Sequence, residues 1–168
     1  QHMINRTMMR VELPIAMKTG DKFSFDIKWW YNINDHVKEG GRSGYEYFEE
    51  NDNKIYVMAQ FYPRMAVYND TEGWQNSQLW GRDEFALPFG DFDVNITVPA
   101  DHILDGTGYL VNRKDIFSKD MMKRYNQAKK SYDKPVMIVT QAEAEKTEKA
   151  KSNKKKTWKL SAQMVRDF

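Results

Sequence analysis

The chain has no cysteine, which excludes disulfides, thiolate metal ligands and cysteine nucleophiles. Histidine is almost as scarce. Of three, His2 lies in a Gln1-His2-Met3 start that reads as a cloning scar, and His36 and His102 stand isolated. A catalytic zinc needs about three converging ligands, commonly two of them paired on a helix as H-E-x-x-H, and that motif is missing. No G-x-S-x-G elbow presents a serine nucleophile. Gly106-Thr107-Gly108 lacks the third glycine and the lysine of a phosphate loop. No apolar run approaches the roughly 20 residues of a membrane span, and no secretory signal is present. Charge of one sign is also lacking: 26 basic against 24 acidic residues leave +2, which argues against a dedicated nucleic-acid binder.

What remains is the composition of a packed globular protein. Its 168 residues suit one domain, and 14% aromatic content favours a core over disorder. The first two-thirds read as strands. Met9, Val11 and Leu13 alternate with Arg10 and Glu12 and stop at Pro14. Phe23, Phe25, Ile27, Trp29 and Tyr31 share one face of a longer strand, with Trp30 on the other. Asn32 to Gly44 reads as a loop. Ile55, Val57, Ala59 and Phe61 then alternate with Tyr56, Met58, Gln60 and Tyr62 up to Pro63. Residues 64–82 have no clean period. Phe92, Val94, Ile96 and Val98 alternate strictly with polar residues until Pro99, and a further strand is expected within 103–110.

The last third turns helical. Ser118 caps a helix in which Met121, Met122, Tyr125, Ala128 and Tyr132 recur at helical spacing. A short strand is expected at 136–139. Thr140 and Glu143 then form a capping box for a helix that is polar all round. Trp158, Leu160 and Ala162 mark a closing strand. The expected fold is mainly β: an antiparallel sandwich or saddle-like sheet, with a small helical insertion near the C-terminal end.

Other chemical signals have plainer explanations. Asn51-Asp52-Asn53 and Asp91-Phe92-Asp93 lack the glycine and distal glutamate of a calcium loop, so turn chemistry and an exposed strand face account for them. Glu49-Glu50 and Asp83-Glu84 read as surface charge. Lys149, Lys151, Lys154, Lys155 and Lys156 follow Glu143, Glu145 and Glu148 without interleaved aromatics, as in a solvated loop. Asn5-Arg6-Thr7, Asn69-Asp70-Thr71 and Asn95-Ile96-Thr97 match glycosylation acceptors, the last inside an expected strand.

A series of motifs occurs in a fixed order. Gln60-Phe61-Tyr62-Pro63-Arg64-Met65 is followed by Gly73-Trp74-Gln75, Glu84-Phe85 and Phe89-Gly90-Asp91-Phe92-Asp93-Val94. Ile96-Thr97-Val98-Pro99-Ala100 and Gly106-Thr107-Gly108-Tyr109-Leu110 complete it. In this order the run from Ile55 to Leu110 resembles the amino-terminal β domain of zinc aminopeptidases of the aminopeptidase N and leukotriene hydrolase family, in a bacterial branch. The flanks, 13–31 and 157–168, fit the same domain.

The resemblance implies a single β domain over 4–168, with 117–156 as a helical, lysine-rich insertion and 157–168 as a closing strand leading to a catalytic domain. It implies a parent that removes amino-terminal residues from peptides with zinc held in that next domain. This chain then carries no catalytic residue, no metal ligand and no cofactor of its own. Its partners are the catalytic domain of the same polypeptide and the peptide substrate, whose cleft it walls. The family places a Gln or Glu two residues after the strand glutamine, lining the pocket for the first substrate side chain. Here Tyr62 follows Gln60, replacing a carboxylate or amide with an aromatic wall and one hydroxyl. The competing reading is a stand-alone β-sandwich binding module for carbohydrate or peptide, using Trp30, Tyr62 and Trp74. The sequence leaves open whether the parent is exported.

A sheet begun without upstream neighbours leaves an open edge, a template for pairing with a second copy. The chain is therefore expected to self-associate. Light scattering should give a mass above 19.9 kDa that rises with concentration; a concentration-independent monomer would refute the open edge.

Overall fold

A computed structural model describes residues 1–81 and 86–168. The chain is mainly β, in small antiparallel sheets with short helices. In order come β1 (His2–Asn5), β2 (Met8–Val11), α1 (His36–Glu39), β3 (Gly44–Phe48) and β4 (Asn53–Val57). Next are β5 (Tyr68–Asn69), β6 (Gly73–Trp74), β7 (Gly90–Pro99) and β8 (Tyr109–Leu110). Helices α2 (Arg113–Ile116), α3 (Lys119–Ala128) and α4 (Gln141–Glu148) precede β9 (Lys155–Val165). The chain forms two compact units, one of residues 1–32 and 61–88, the other of 33–60 and 89–168.

The first unit is held by polar turns. β1 and β2 pair across Arg6 and Thr7, with Arg6 at φ 54°. Gln78 clamps that turn: its Oε1 accepts from the Thr7 N–H at 3.0 Å and the Thr7 hydroxyl at 2.7 Å, while its Nε2 donates to the Asn5 carbonyl at 2.9 Å. β5 and β6 form a second hairpin. There Asn69 Oδ1 accepts the N–H groups of Thr71 and Glu72, the local bond that makes Asn a turn residue. Among the described residues none of this unit is buried.

Two sequence expectations are corrected here. Met8–Val11 does have an upstream partner, the segment His2–Asn5. The run Phe23 to Tyr31 is not a strand, and its aromatics are not a core. Phe23 and Phe25 stack at 5.8 Å, as an extended backbone allows at i and i+2, but among the described residues no neighbouring strand satisfies the backbone there. Alternation supplied a face; strand formation also needs a ladder.

The second unit has the core. β9 is the middle strand of three, antiparallel to β7 on one side and β8 on the other. Trp158, Leu160 and Ala162 project from one face and are each only 3% exposed. They lie opposite Ile96, Val94 and Phe92 of β7, and Leu160 also faces Leu110 of β8. Ile116 closes the cluster, with Val98, Leu104, Phe117 and Phe168 packed around it. On the opposite face the Thr97 and Thr157 hydroxyls meet at 2.8 Å. A bulge near Gly90 shifts the register, and Asp91 Oδ1 accepts from the Met164 N–H at 2.9 Å where Met164 takes φ 52°. Asp91 is thus a fastening of the bulge. Gly108, at φ 87°, lies where a Cβ would collide with the Ser161 carbonyl and the Ala162 methyl, so only glycine lets β8 approach β9.

The two expected helices form with their expected caps: Ser118 accepts from the Met121 N–H, and Thr140 with Glu143 makes a reciprocal capping box. The closing strand is β9. Further corrections fall between these. β3 forms from Gly44 to Phe48 within and beyond the expected loop, pairing with β4. α2 was not foreseen. The segment 103–110 is strand only at Tyr109 and Leu110, and 136–139 is not strand. Asp83, Glu84 and Phe85 lie outside the described residues.

The Trp158 Nε1–H is buried without an acceptor among the described residues. Its contribution is therefore packing. Trp158→Ala should cost about 3–5 kcal/mol in urea unfolding followed by circular dichroism. Trp158→Phe, which removes the unpartnered donor with part of the ring, should cost distinctly less.

Candidate functional site

The two residues expected to line a substrate pocket are placed differently from each other. β4 ends at Val57, and Gln60 is exposed with φ 56°, a left-handed backbone that interrupts the extended run. Pro63 follows without an N–H to donate to a ladder. Gln60 and Tyr62 are therefore not on the expected strand. Gln60 belongs to the second unit and Tyr62 to the first. Tyr62 is half-buried, its ring 5.2 Å from that of Phe61 in an edge-on arrangement. The Arg64 guanidinium carbon stands 5.2 Å from the Tyr62 ring centroid. The Tyr62 ring is thus already engaged by an aromatic edge and a cation. In the same unit Trp30 is 86% exposed, Trp74 packs edge-on against Tyr68 at 5.4 Å, and Trp80 lies 4.9 Å from the Arg6 guanidinium.

The histidines serve local structure. His36 begins α1, whose cap is Asp35 accepting from the Val37 and Lys38 N–H groups. His102 Nδ1 sits 2.8 Å from Asp101 Oδ1, and the Tyr56 ring lies 6.2 Å from the imidazole. Asp101 also accepts the Ser152 N–H at 2.5 Å. These bonds, His102's first, hold the Asp101 carboxyl below the usual carboxylate range. An aspartate orienting an imidazole is two-thirds of a nucleophilic triad, but no hydroxyl is bonded to His102 among the described residues. The Ser152 hydroxyl instead turns to the Lys154 carbonyl at 3.5 Å. The pair pins the start of β9 beside the end of β7.

Among the described residues no three His, Asp or Glu side chains are grouped to hold a metal ion. The described residues thus bring together no donor set of the kind a tetrahedral zinc site requires. No described helix is long and apolar enough to cross a membrane.

The best-formed polar cluster is one the sequence disclosed only in part. Glu143 Oε2 accepts from Arg124 Nη2 at 2.5 Å, from the Thr140 N–H at 2.8 Å and from the Thr140 hydroxyl at 2.9 Å. Arg124 also donates Nε to the Ile138 carbonyl at 2.8 Å. The capping spacing revealed Thr140 and Glu143; nothing in the local pattern points from α3 to α4 through Arg124. Comparison with known proteins finds no matching family model, no similar curated protein and no similar solved structure.

Arg124, followed by the two Thr140 donors, lowers the Glu143 carboxyl from 4.5 to about 2. A carboxyl depressed in the fold contributes stability above its unfolded value and loses it as pH falls through the folded value. The bond from α3 to α4 should thus hold at neutral pH and release between pH 4.5 and about 2. Carboxyl NMR should place the Glu143 midpoint near the low end, and Arg124→Gln should move it upward; an unshifted midpoint in the parent chain would refute the pairing.

Proposed function

We propose that this chain is a non-catalytic β domain of a bacterial zinc-dependent aminopeptidase, packing beside a catalytic domain of the same polypeptide and walling its peptide cleft. The observation that carries the reading is the ordered run of motifs from Gln60 to Leu110. In it Tyr62 takes the place of the residue that meets the first substrate side chain, and zinc belongs to the neighbouring domain.

Surface physics supports a covered role. Large apolar side chains such as Ile15, Trp30 and Trp80 lie more than two-thirds exposed. At roughly 25 cal/mol per Å², covering such surface is a strong drive toward association.

The chain with added zinc should release no amino-terminal residue from aminoacyl anilides. The reading frame beyond Phe168 should encode H-E-x-x-H, and the longer product should hydrolyse these substrates and lose activity to a chelator. Zinc-dependent turnover by the 168-residue chain, or a stop codon with no peptidase motif behind it, would overturn the reading.

A further inference from the structure

A cleft of 590 Å³ lies between α2 and α3, within the range of small-molecule sites. Arg113 and Lys114 from α2 and Asn126 and Lys129 from α3 line it, around the Tyr125 ring. Asp115 is the one acid in the lining. The Arg113 guanidinium carbon is 4.9 Å from the Tyr125 centroid, and Lys129 Nζ is 5.9 Å from it. Two like charges converge on one ring. Among the described residues Arg113, Lys114 and Lys129 take part in no ion pair.

The floor of the cleft is fixed. Arg113 donates Nη1 to the Leu110 carbonyl at the end of β8. Asn112 ties the same turn to β9, donating to the Thr157 carbonyl and accepting from the Lys159 N–H, each at 3.0 Å. Ile116, one turn on, is in the core. A cation held this way cannot retreat into solvent as a free surface lysine does, and only one of its five N–H donors is used by the Leu110 carbonyl.

We propose that this cleft binds a small ligand through an anionic group, phosphoryl or carboxylate, held by Arg113, Lys114 and Lys129 against Tyr125. An anion relieves the repulsion between the converging cations, and the guanidinium fork matches two oxygens of such a group. Tyr125 and Met122 supply an apolar wall for the rest of the ligand. The cleft lies outside the Ile55–Leu110 run, so the proposal stands independently of the peptidase reading.

The test is an NMR titration of the whole chain with sodium phosphate and with sodium succinate, each against sodium chloride at equal ionic strength. Saturable shifts are expected at the Arg113 Nε–H and the Asn126 amide. The tighter anion identifies the ligand group. Lys114→Gln combined with Lys129→Gln should weaken binding by about tenfold or more. Lys119→Gln with Lys123→Gln removes the same charge from exposed positions of α3 outside the cleft and should leave affinity unchanged. Unchanged dispersion elsewhere in the spectrum shows that both variants keep the fold. Unsaturating shifts that chloride reproduces, or equal weakening by both pairs of substitutions, would overturn the site.

Discussion

The apolar face of β9 is the constraint on which the larger unit depends. Trp158, Leu160 and Ala162 are the most buried of its core side chains, and they need cover from strands far away in sequence. β7 supplies a long antiparallel neighbour, β8 only a two-residue one. The short strand suffices because Gly108 lets the backbone come against Ser161 and Ala162, which seats Leu110 on Leu160. Closing a long loop costs little more than closing a short one, since the entropy grows only with the logarithm of length. The segment between β8 and β9 can therefore be long, provided something keeps it from fraying.

Polar side chains do that work. No residue of α3 or α4 is buried, so these helices contribute little hydrophobic driving force of their own. They are tied at intervals. Asn112 bonds β9, Arg124 links α3 to Glu143, and Asp101 takes the Ser152 N–H. Asn51 and Asn53 reach the Glu148 side chain and carbonyl at the end of α4. Each bond contributes on the order of 1 kcal/mol, more where an ion is involved. Such ties specify position more than they add stability. They also concentrate charge: Arg124 is neutralised by Glu143, whereas Arg113 and Lys129 are left to share Tyr125.

What could be read from the sequence follows the range of the interactions involved. Caps at Ser118 and Thr140 were legible because a cap is decided within four residues. The strict alternation from Phe92 to Val98 and from Trp158 to Ala162 was legible because one face of each strand meets a core. Alternation misled at Phe23 to Tyr31, where apolar residues of the right period have no strand beside them among the described residues. β3 was hidden because Gly44-Tyr45-Glu46-Tyr47 follows a glycine-rich stretch and its partner comes only after the Glu49–Asn51 turn. The Gln60 and Tyr62 positions failed as a strand for a backbone reason, the left-handed residue before a proline-containing turn. Arg113 and Lys129 could not be paired from sequence, since their meeting at Tyr125 depends on how α2 turns into α3.

The smaller unit inverts the usual division of labour. Its turns are specified by backbone N–H groups donating to the side-chain oxygens of Gln78 and Asn69, and Trp29 donates Nε1 to the Phe61 carbonyl at 3.0 Å. Its apolar side chains, among them Ile15, Trp30, Met65 and Trp80, face outward. A monomer that must hold itself together places apolar groups inside and leaves polar turns to the surface. Here polar contacts define local geometry while the hydrophobic free energy remains unspent. That energy is recovered only where such side chains meet another apolar surface.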